Sequence, residues 1–295
     1  MMKAGFVGLG RMGGALARRI IREQPLRVFD LSEQTIAALV SEGAQAAASL
    51  DELGRACDIV ALCLPTSAEV KAVIFGEGGL AGSLAPGSLI IDMTTGDPNA
   101  TREMAGELQD RRIDLIDAPV SGGPHGAAAG TIAILVGATT AQFERCLPLM
   151  KTISPRIFHT GDVGTGQIMK LVNNVIAAGV RAATFEAVTL GVKNGLSLKT
   201  CAEILAVGTA RSYTTELALP SLLDPNRKMT FTMGLMHKDV RLATDVAAQS
   251  GVPMPVAGAV REIFQTAANE LGAEADLNDL MLMLERQAGT KVVPR

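Results

Sequence analysis

The sequence has few aromatic residues and no excess of positive charge. Of 295 residues none is tryptophan and one is tyrosine, and the aromatic residues together make up 3%. Proteins that bind single-stranded nucleic acid by base stacking need aromatic platforms, so this composition argues against that function. With 27 Lys and Arg against 30 Asp and Glu, the formal net charge is -3. No basic excess is available to neutralise a phosphate backbone, and we expect no nucleic-acid partner.

Metal ligands are also scarce. The three histidines and four cysteines are scattered and form no CxxC pair, whereas a zinc site needs three or four ligands in a tight arrangement. We predict no metal site and interpret the cysteines as buried free thiols of a reducing compartment. We find no segment that approaches the about 20 apolar residues of a membrane span. We find no signal peptide before Gly8, which already belongs to the first motif, and expect a cytoplasmic protein without a membrane partner.

The chain is long enough for two domains, since a domain typically has about 100–200 residues. In the first half, short apolar runs alternate with helical stretches, which indicates an α/β domain with βαβ units and a mostly parallel sheet. The predicted strands are 4–7, 26–29, 59–64, 88–93, 113–117 and 131–136. The predicted helices of this half are 12–23, 33–41 and 99–111.

After residue 161 the strand pattern stops and the sequence becomes helical. One long helix is predicted over 166–193, with no proline inside it and with Asn194 and Gly195 as its C-terminal cap. Shorter helices are predicted at 198–207, 235–250, 256–271 and 278–287. We therefore predict an N-terminal domain over 1–161 and an all-helical C-terminal domain over 162–295.

A glycine-rich segment directly follows the first predicted strand and opens a helix. Its GxGxxG pattern is a weak signal alone, but this context is the one that a dinucleotide-binding fold requires. The first glycine permits a tight turn, the second lets the backbone approach the pyrophosphate, and N–H groups at the helix start bind the phosphates. The alternative is a plain glycine turn. The predicted cofactor residues of this segment are Gly8, Leu9, Gly10, Arg11, Met12 and Gly13.

An acidic residue ends the second predicted strand. Asp30 stands where a carboxylate accepts hydrogen bonds from both ribose hydroxyls of a dinucleotide and repels a 2′-phosphate. The next residues, Leu31, Ser32 and Glu33, offer no arginine for that phosphate, and Arg27 is expected on the strand. We predict NAD as the cofactor, in preference to NADP.

Two further segments can carry chemistry. Residues 121–123 (Ser121, Gly122 and Gly123) can present a hydroxyl and backbone N–H groups to an anion, but a loop that needs glycine for its shape has the same pattern. Lys170 and Asn174 lie four residues apart on the long helix, hence on one face. A lysine in this apolar stretch is costly unless it is paired or functional, and desolvation would fit it for proton transfer. Alternatively, its ammonium group reaches solvent.

Together the motifs resemble the β-hydroxyacid dehydrogenases, the family that includes 3-hydroxyisobutyrate dehydrogenase and tartronate semialdehyde reductase. The resemblance covers essentially the whole chain, because the motifs occur in the family order. They are GLGRMG at 8–13, CLP at 63–65, DMTTGDP at 92–98, DAPVSGG at 117–123, GDVGTGQIMKLVNN at 161–174 and the pair Lys238 and Asp239. The resemblance implies a Rossmann-type N-terminal domain, a long interdomain helix and an all-helical C-terminal domain.

The resemblance also implies roles for individual residues. Lys170 matches the catalytic lysine and Asn174 the substrate-orienting asparagine, and residues 121–123 match the substrate-carboxylate loop. Lys238 matches a lysine that reaches cofactor and substrate from the helical domain. The further matches to cofactor contacts are Leu64, Pro65 and Thr95. Departures from the family pattern are DMTT for the more usual DMST, Arg18 where asparagine is frequent, and the pair Pro124 and His125 in a variable segment.

The implied function is hydride transfer between NAD and a short 3-hydroxy acid or its semialdehyde, with Lys170 as acid and base. One alternative is an imine reductase, against which Lys170 argues. Another is a phosphogluconate-type dehydrogenase, for which Arg211 is a candidate anion contact. A third is a catalytically silent dinucleotide-binding protein, against which Lys170 and Asn174 together argue. The long apolar helix and the helical domain predict a homo-oligomer, either a homodimer or a homotetramer.

Overall fold

The computed structural model describes residues 2–229 and 231–294. Its contacts divide the chain into two compact units, Met1–Lys170 and Leu171–Arg295. The division falls inside the long helix that the sequence predicts after residue 161, so this helix begins in the first unit and continues in the second. The domain boundary at residue 161 stays a prediction.

The first unit is built on a sheet that has nine strands within the described residues. The strands are β1 (Ala4–Val7), β2 (Leu26–Phe29), β3 (Gln45–Ala46), β4 (Ile59–Leu62), β5 (Leu89–Asp92), β6 (Asp114–Asp117), β7 (Val120–Ser121), β8 (Ala133–Gly137) and β9 (Ile157–Gly161). Their order is β3-β2-β1-β4-β5-β6-β8-β7, with β9 paired to β8. Pairing is parallel from β3 to β6 and between β8 and β9, and β8 is antiparallel to β6 and β7.

The strand order reverses at β1, which lies between β2 and β4. In open α/β sheets, ligands bind outside the carboxyl ends of the strands at such a reversal. Val7 and Leu62 are register partners at the ends of β1 and β4. The segments that start at Gly8 and Cys63 therefore leave the sheet side by side.

Helices cover the sheet on both faces. They are α1 (Arg11–Ile21), α2 (Glu33–Val40), α3 (Leu50–Ala56), α4 (Ser67–Phe75), α5 (Leu80–Ser83), α6 (Pro98–Gln109), α7 (Gly123–Ala129) and α8 (Thr140–Ile153). Successive residues of one strand belong to different apolar clusters. In β4, Ile59 and Ala61 pack in one cluster, while Val60 and Leu62 pack in the other. Strands buried on both faces are typical of a doubly wound parallel sheet.

The second unit is helical. The long helix α9 (Thr165–Lys193) is followed by α10 (Leu198–Leu205), α11 (Leu219–Ser221), α12 (Met233–Ser250), α13 (Pro255–Leu271) and α14 (Leu280–Ala288), with a π-helical turn at Thr214–Ala218 and a 3-10 turn at Leu277–Asp279. Side chains from all six of these helices, among them Phe185, Val240, Phe264 and Met281, form one buried core. Gly195 has φ +99° just after α9, as its predicted role in the cap requires.

One buried cation is built into this core. Arg181 of α9 is 6% exposed, its Nη1 donates a hydrogen bond to Asn278 Oδ1, and its guanidinium carbon lies 5.8 Å from the centre of the Phe185 ring. Burial lowers the pKa of Arg181 to about 10, against the opposing effect of Tyr213 and Asp276. A buried charge is costly without partners. The hydrogen bond to Asn278 provides such a partner and connects α9 to the turn before α14.

The predicted strands and helices are all present, with ends shifted by a few residues. The strand predicted over 59–64 stops at Leu62, and the predicted helices 12–23 and 99–111 run over Arg11–Ile21 and Pro98–Gln109. The elements that were not predicted are β3, β7, β9, α3, α4, α5, α7, α8 and α11, together with the π-helical turn at Thr214–Ala218. Strands of two residues carry no periodicity, and Pro148 inside α8 argues against a helix there. The capping box of Thr139 and Gln142 was the signal that could have identified α8.

The four cysteines are free, and three of them are buried, whereas Cys63 is half-buried. Burial raises the pKa of the Cys57 and Cys146 thiols to about 11. These two side chains are therefore protonated, unreactive members of the apolar clusters at neutral pH. The predicted free thiols are confirmed, except that Cys63 is not fully covered.

The expectation that no segment approaches a membrane span was wrong for α9. This helix of 29 residues is long and apolar enough to span a membrane, by length and composition only. Lys170, Asn174 and Arg181 interrupt its apolar sequence, but alanine, valine and isoleucine between them keep the average hydropathy high. Core helices of other proteins are equally long and apolar, but only 33% of the apolar 18-residue stretch of this helix is buried. Ala178 and Phe185 of α9 are fully buried in the core of the second unit.

Candidate cofactor and substrate site

Two of the three glycines at the carboxyl end of β1 are required by the fold itself. Gly8 has φ +89°, and a Cβ there would collide with the carbonyl oxygen of Cys63. A Cβ at Gly13 would overlap the carbonyl oxygen of Gly8. The absence of these side chains lets α1 start directly beyond β1 and pack against the end of β4.

Gly10 is different, because nothing in the protein requires a glycine there. Its φ is -60°, it is exposed, and a Cβ would meet no atom within 4 Å. It is the N-cap of α1, yet no side chain caps this helix and its first turn has no acidic residue. The start of α1 thus combines a positive dipole end with open space in front of its backbone, an arrangement that fits an anionic pyrophosphate.

Asp30 lies beside this segment at the carboxyl end of β2. Its Oδ2 accepts a hydrogen bond from the Leu9 N–H at 2.5 Å, and its Oδ1 accepts one from the Ser32 N–H at 2.8 Å. These bonds hold the carboxylate in one orientation against the glycine-rich segment. Arg27 lies on β2 as predicted, and its Nη1 is 3.5 Å from Glu52 Oε1.

The predicted cofactor contacts Leu64, Pro65 and Thr95 follow two neighbouring parallel strands, β4 and β5. The Leu64 N–H donates to Thr94 Oγ1 at 3.0 Å, and the Thr94 N–H donates to Asp92 Oδ1 at 2.9 Å. Thr94, which the sequence analysis did not single out, therefore ties the two segments together. The Thr94 side chain is buried, so it does not reach a ligand directly and instead positions Leu64 through this hydrogen bond.

Residues 121–123 join β7 to α7. Gly122 and Gly123 have φ of +134° and +68°, a conformation that other residues adopt only with strain. Ser121 and Gly123 are half-buried and Gly122 is exposed. The alternative that this loop needs glycine for its shape therefore holds at both positions. His125 is exposed on α7.

The start of α9 is held by two buried polar side chains that the sequence analysis did not assign. Asp117, the last residue of β6, accepts hydrogen bonds from the N–H groups of Gly164 at 2.6 Å and Gln167 at 2.7 Å. Burial raises the pKa of Asp117 to about 6, although these bonds oppose the rise. The Gln167 side chain bonds the backbone of the segment after β5 at Thr94 and Gly96. Lys170 follows in α9, still in the first unit, and is half-buried.

In the second unit, Asn174 and Lys238 meet at one carboxylate. Asp239 is fully buried, its Oδ2 accepts from Asn174 Nδ2 at 2.6 Å, and its Oδ1 lies 3.2 Å from Lys238 Nζ. Asn174 Oδ1 also accepts from Asn173 Nδ2 at 2.9 Å. Asp239 was noted only as part of a motif, and here it holds the Asn174 amide by a hydrogen bond and lies within ion-pair distance of Lys238.

Arg211, the candidate anion contact of the phosphogluconate alternative, is engaged by an acidic neighbour. Its Nε lies 3.2 Å from Glu216 Oε1, and its side chain is 67% exposed. This geometry is that of a surface ion pair. Within residues 2–229 and 231–294, no three His, Cys, Asp or Glu side chains are grouped so that they could hold a metal ion.

Comparisons with known proteins agree with this architecture. Residues 3–161 match the NAD binding domain of 6-phosphogluconate dehydrogenase, and residues 164–284 match the NAD-binding of NADP-dependent 3-hydroxyisobutyrate dehydrogenase. The 2-(hydroxymethyl)glutarate dehydrogenase of Eubacterium barkeri is 37% identical over 99% of this chain and 97% of its own. The NAD-dependent L-serine dehydrogenase of Pseudomonas aeruginosa is 32% identical over 98% of this chain and 100% of its own. A crystal structure of 3-hydroxyisobutyrate dehydrogenase from Salmonella typhimurium has a TM-score of 0.88 at 27% identity, covering 96% of this chain and 100% of the other.

The chain belongs to the β-hydroxyacid dehydrogenase family. It is an NAD(P)-dependent oxidoreductase that interconverts short 3-hydroxy acids and their semialdehydes, as the sequence predicts. The Rossmann-type N-terminal domain, the long linking helix and the helical C-terminal region are confirmed.

Gly10 and Gly13 should respond differently to substitution by alanine. We expect Gly13→Ala to lower the free energy of unfolding by about 3 kcal/mol or more, because the backbone must move. Gly10→Ala should lower the free energy of unfolding by at most about 1 kcal/mol, because alanine is a poorer N-cap. It should weaken NADH binding at least about tenfold, because the methyl group occupies the open space before α1. Denaturant unfolding and NADH fluorescence titration measure the two quantities.

Gly106→Ala is the matched control, because Gly106 is exposed inside α6 and a Cβ there meets no atom within 4 Å. It should leave NADH affinity unchanged and add about 0.5–1 kcal/mol of stability. Wild-type NADH affinity in folded Gly10→Ala would contradict the assignment of this segment to the pyrophosphate.

Proposed function

We propose that Lys170 is the general acid and base of the reaction, acting on a short acid that carries a hydroxymethyl group. The observation that carries this proposal is a half-buried lysine on α9, less than one turn beyond a buried set of hydrogen bonds that fixes the start of the helix. A group that transfers protons must be held in a defined place. A lysine whose ammonium group only extends into solvent does not require a fixed helix start.

The nicotinamide ring, when bound, accepts or returns the hydride. In the oxidation direction, the Lys170 amine takes the proton of the substrate hydroxyl. In the reduction direction, the Lys170 ammonium returns that proton to the aldehyde oxygen and stabilises negative charge that develops there. The residues at 121–123 bind the substrate carboxylate through the Ser121 hydroxyl and backbone N–H groups. Asn174, which donates a hydrogen bond to Asp239, and Lys238 are the predicted substrate contacts of the second unit.

Substrate selection follows from the chemistry that such a site recognises. An anionic group on the carbon next to the hydroxymethyl carbon would bind residues 121–123, and the second substituent is free to vary. A panel of 2-(hydroxymethyl)glutarate, 3-hydroxyisobutyrate and L-serine tests this class, since all three share that arrangement. NADH formation with at least one of them supports the dehydrogenase. Activity with cyclic imines alone would favour the imine reductase alternative, and NADH binding without turnover would favour a silent dinucleotide-binding protein.

Steady-state kinetics of Lys170 variants test the acid and base role. Lys170→Ala should lower kcat by about 10²–10⁴, the usual effect of a positioned proton donor, and should leave NADH affinity nearly unchanged. Lys170→Arg should also be inactive and should not recover at high pH, because an arginine does not release a proton there. Circular dichroism serves as the folding control. More than about a tenth of wild-type kcat in folded Lys170→Ala would move the chemistry to another residue, and Lys238 is then the next candidate.

We further propose that NAD is preferred over NADP, because Asp30 is held beside the glycine-rich segment by Leu9 and Ser32. A carboxylate in this position accepts from ribose hydroxyls and repels a 2′-phosphate. In the wild-type protein, kcat/KM with NAD should exceed kcat/KM with NADP at least about tenfold. Asp30→Ala should lower kcat/KM with NAD and so reduce the preference for NAD over NADP. The control variant Asp51→Ala removes the same charge from an ion pair on α3. It should change neither kcat/KM with NAD nor the preference for NAD over NADP. A preference for NADP, or unaltered use of NAD by Asp30→Ala, would refute the proposal.

We also propose that the protein is a homo-oligomer. Most of the large apolar side chains that are exposed in the described part of the chain belong to the second unit, and large apolar side chains exposed in such number are a feature of surfaces that bind a partner. They are Val172, Ile176, Leu190, Leu196, Ile204, Val207, Tyr213, Leu217, Met229, Val252 and Val256. A second copy of the chain is the occupant we expect, since symmetric self-association is the commonest assembly of soluble proteins.

Light scattering should therefore give a mass of at least two 30.7 kDa chains. Leu190→Glu places a charge on α9 where the side chain is 66% exposed, and it should shift the protein toward the single chain because an unpaired charge is costly in an interface. Val40→Glu, at an exposed apolar position of the first unit, should leave the mass unchanged. A wild-type protein that contains only single chains at micromolar concentration would exclude the assembly.

A further inference from the structure

Gln167 lies in the first turn of α9, and its side chain is completely buried. Its Nε2 donates a hydrogen bond to the Thr94 carbonyl oxygen at 2.8 Å, and its Oε1 accepts one from the Gly96 N–H at 2.9 Å. One amide group therefore bonds the backbone on both sides of Thr95. The segment after β5 and the start of α9 are connected through this side chain.

The backbone of Gln167 is held as firmly as its side chain. Its N–H donates to Asp117 Oδ2 at 2.7 Å, and Asp117 Oδ1 accepts from the Gly164 N–H at 2.6 Å. A Cβ on either Gly137 or Gly166 would lie 2.8 Å from Asp117 Oδ2, so the carboxylate is tightly enclosed. Because the hydrogen bonds act in different directions and the surroundings are packed, the first turn of α9 can neither rotate nor slide without breaking them.

Lys170 follows Gln167 by three residues, which places the two side chains on the same side of the helix. A helix transmits a rotation or shift of one turn to the next, and a displacement of about 1 Å at a reacting group can cost about 10²-fold in rate. A hydrocarbon side chain at position 167 would fill the space, but it would leave the Thr94 carbonyl and the Gly96 N–H without their present partner.

We propose that Gln167 is a positioning residue for Lys170, with Asp117 as the anchor of its backbone. The proposal rests on the acid and base role proposed for Lys170. Gln167 has no part in the chemistry itself, since its amide is occupied by the backbone and its side chain is buried. It determines where along and around α9 the Lys170 amine is presented.

A double-mutant cycle with Gln167→Met and Lys170→Ala tests the proposal. Methionine keeps the length of the side chain and removes both hydrogen bonds. We expect kcat to fall about tenfold or more in the wild-type background. In the Lys170→Ala background the same substitution should change the residual kcat by less than about twofold, because there is no amine left to misplace. The isotope effect on kcat with substrate deuterated at the hydroxymethyl carbon should rise in Gln167→Met, as chemistry becomes slower than the other steps.

Gln142→Met is the matched control. Gln142 lies on α8 of the same unit, where its Oε1 accepts from the Thr139 N–H at 3.0 Å and its Nε2 donates to Asp114 Oδ1 at 2.9 Å. Its replacement should lower thermal stability without changing kcat or the isotope effect. Gln167→Asn, which keeps the amide but is one methylene shorter, provides a milder variant if Gln167→Met does not fold, and it should lower kcat in the same direction.

Unchanged kcat in a folded Gln167 variant would overturn the proposal. An equal loss in both backgrounds would also overturn it, and a matching loss of NADH affinity would then assign the effect to the segment around Thr95. Failure of the proposed function gives a different result, namely an active Lys170→Ala protein before any change at Gln167.

Discussion

The contact between Gly13 and the carbonyl oxygen of Gly8 is the steric constraint on which the cofactor end of the first unit depends. Neither residue has a side chain to hold the backbones apart, so α1 begins directly beyond β1 and lies against the end of β4. The same turn brings the Leu9 N–H to Asp30 and leaves the start of α1 open at Gly10. The close approach of the Gly8 and Gly13 backbones therefore places the turn at Gly8, the start of α1 and the Asp30 carboxylate next to one another.

A second constraint is that buried polar groups must find partners. At the start of α9, Asp117 satisfies backbone N–H groups of the helix, while Gln167 satisfies the backbone around Thr95. These bonds connect the segments that follow β5 and β6 with the helix that carries Lys170. The parallel sheet makes the connection feasible, because neighbouring strands end at one edge and deliver their following segments to the same place.

In the second unit, the organising group is the carboxylate of Asp239. A fully buried carboxylate is stable only with polar or charged partners around it. Asn174 Nδ2 lies 2.6 Å from its Oδ2, and Lys238 Nζ lies 3.2 Å from its Oδ1. The hydrogen bond fixes the Asn174 amide on α9, and the ion pair keeps the Lys238 ammonium on α12 near the same carboxylate. Orientation of this kind is what a site needs in order to bind a small anionic substrate in one pose.

The sequence by itself determined the elements and motifs whose signals are local. Apolar runs identified β1, β2, β4 and β5, the glycine spacing identified the start of α1, and the ordered motifs identified the family. It did not reveal the two-residue strands β3 and β7, because their pairing depends on neighbours already being in place. It also underestimated the hydropathy of α9, because polar residues interrupt that helix without lowering its average to that of a surface helix.

Only the tertiary structure assigned work to Thr94, Gln167 and Asp239. Each lies in a family motif that gave it no role of its own, and its partner lies 30, 73 and 65 residues away for the bonds to Leu64, Thr94 and Asn174 respectively. Periodicity and spacing report on neighbours within a few turns or one strand. A hydrogen bond between distant segments exists only after the sheet has set its strand order and buried the groups that must then be paired.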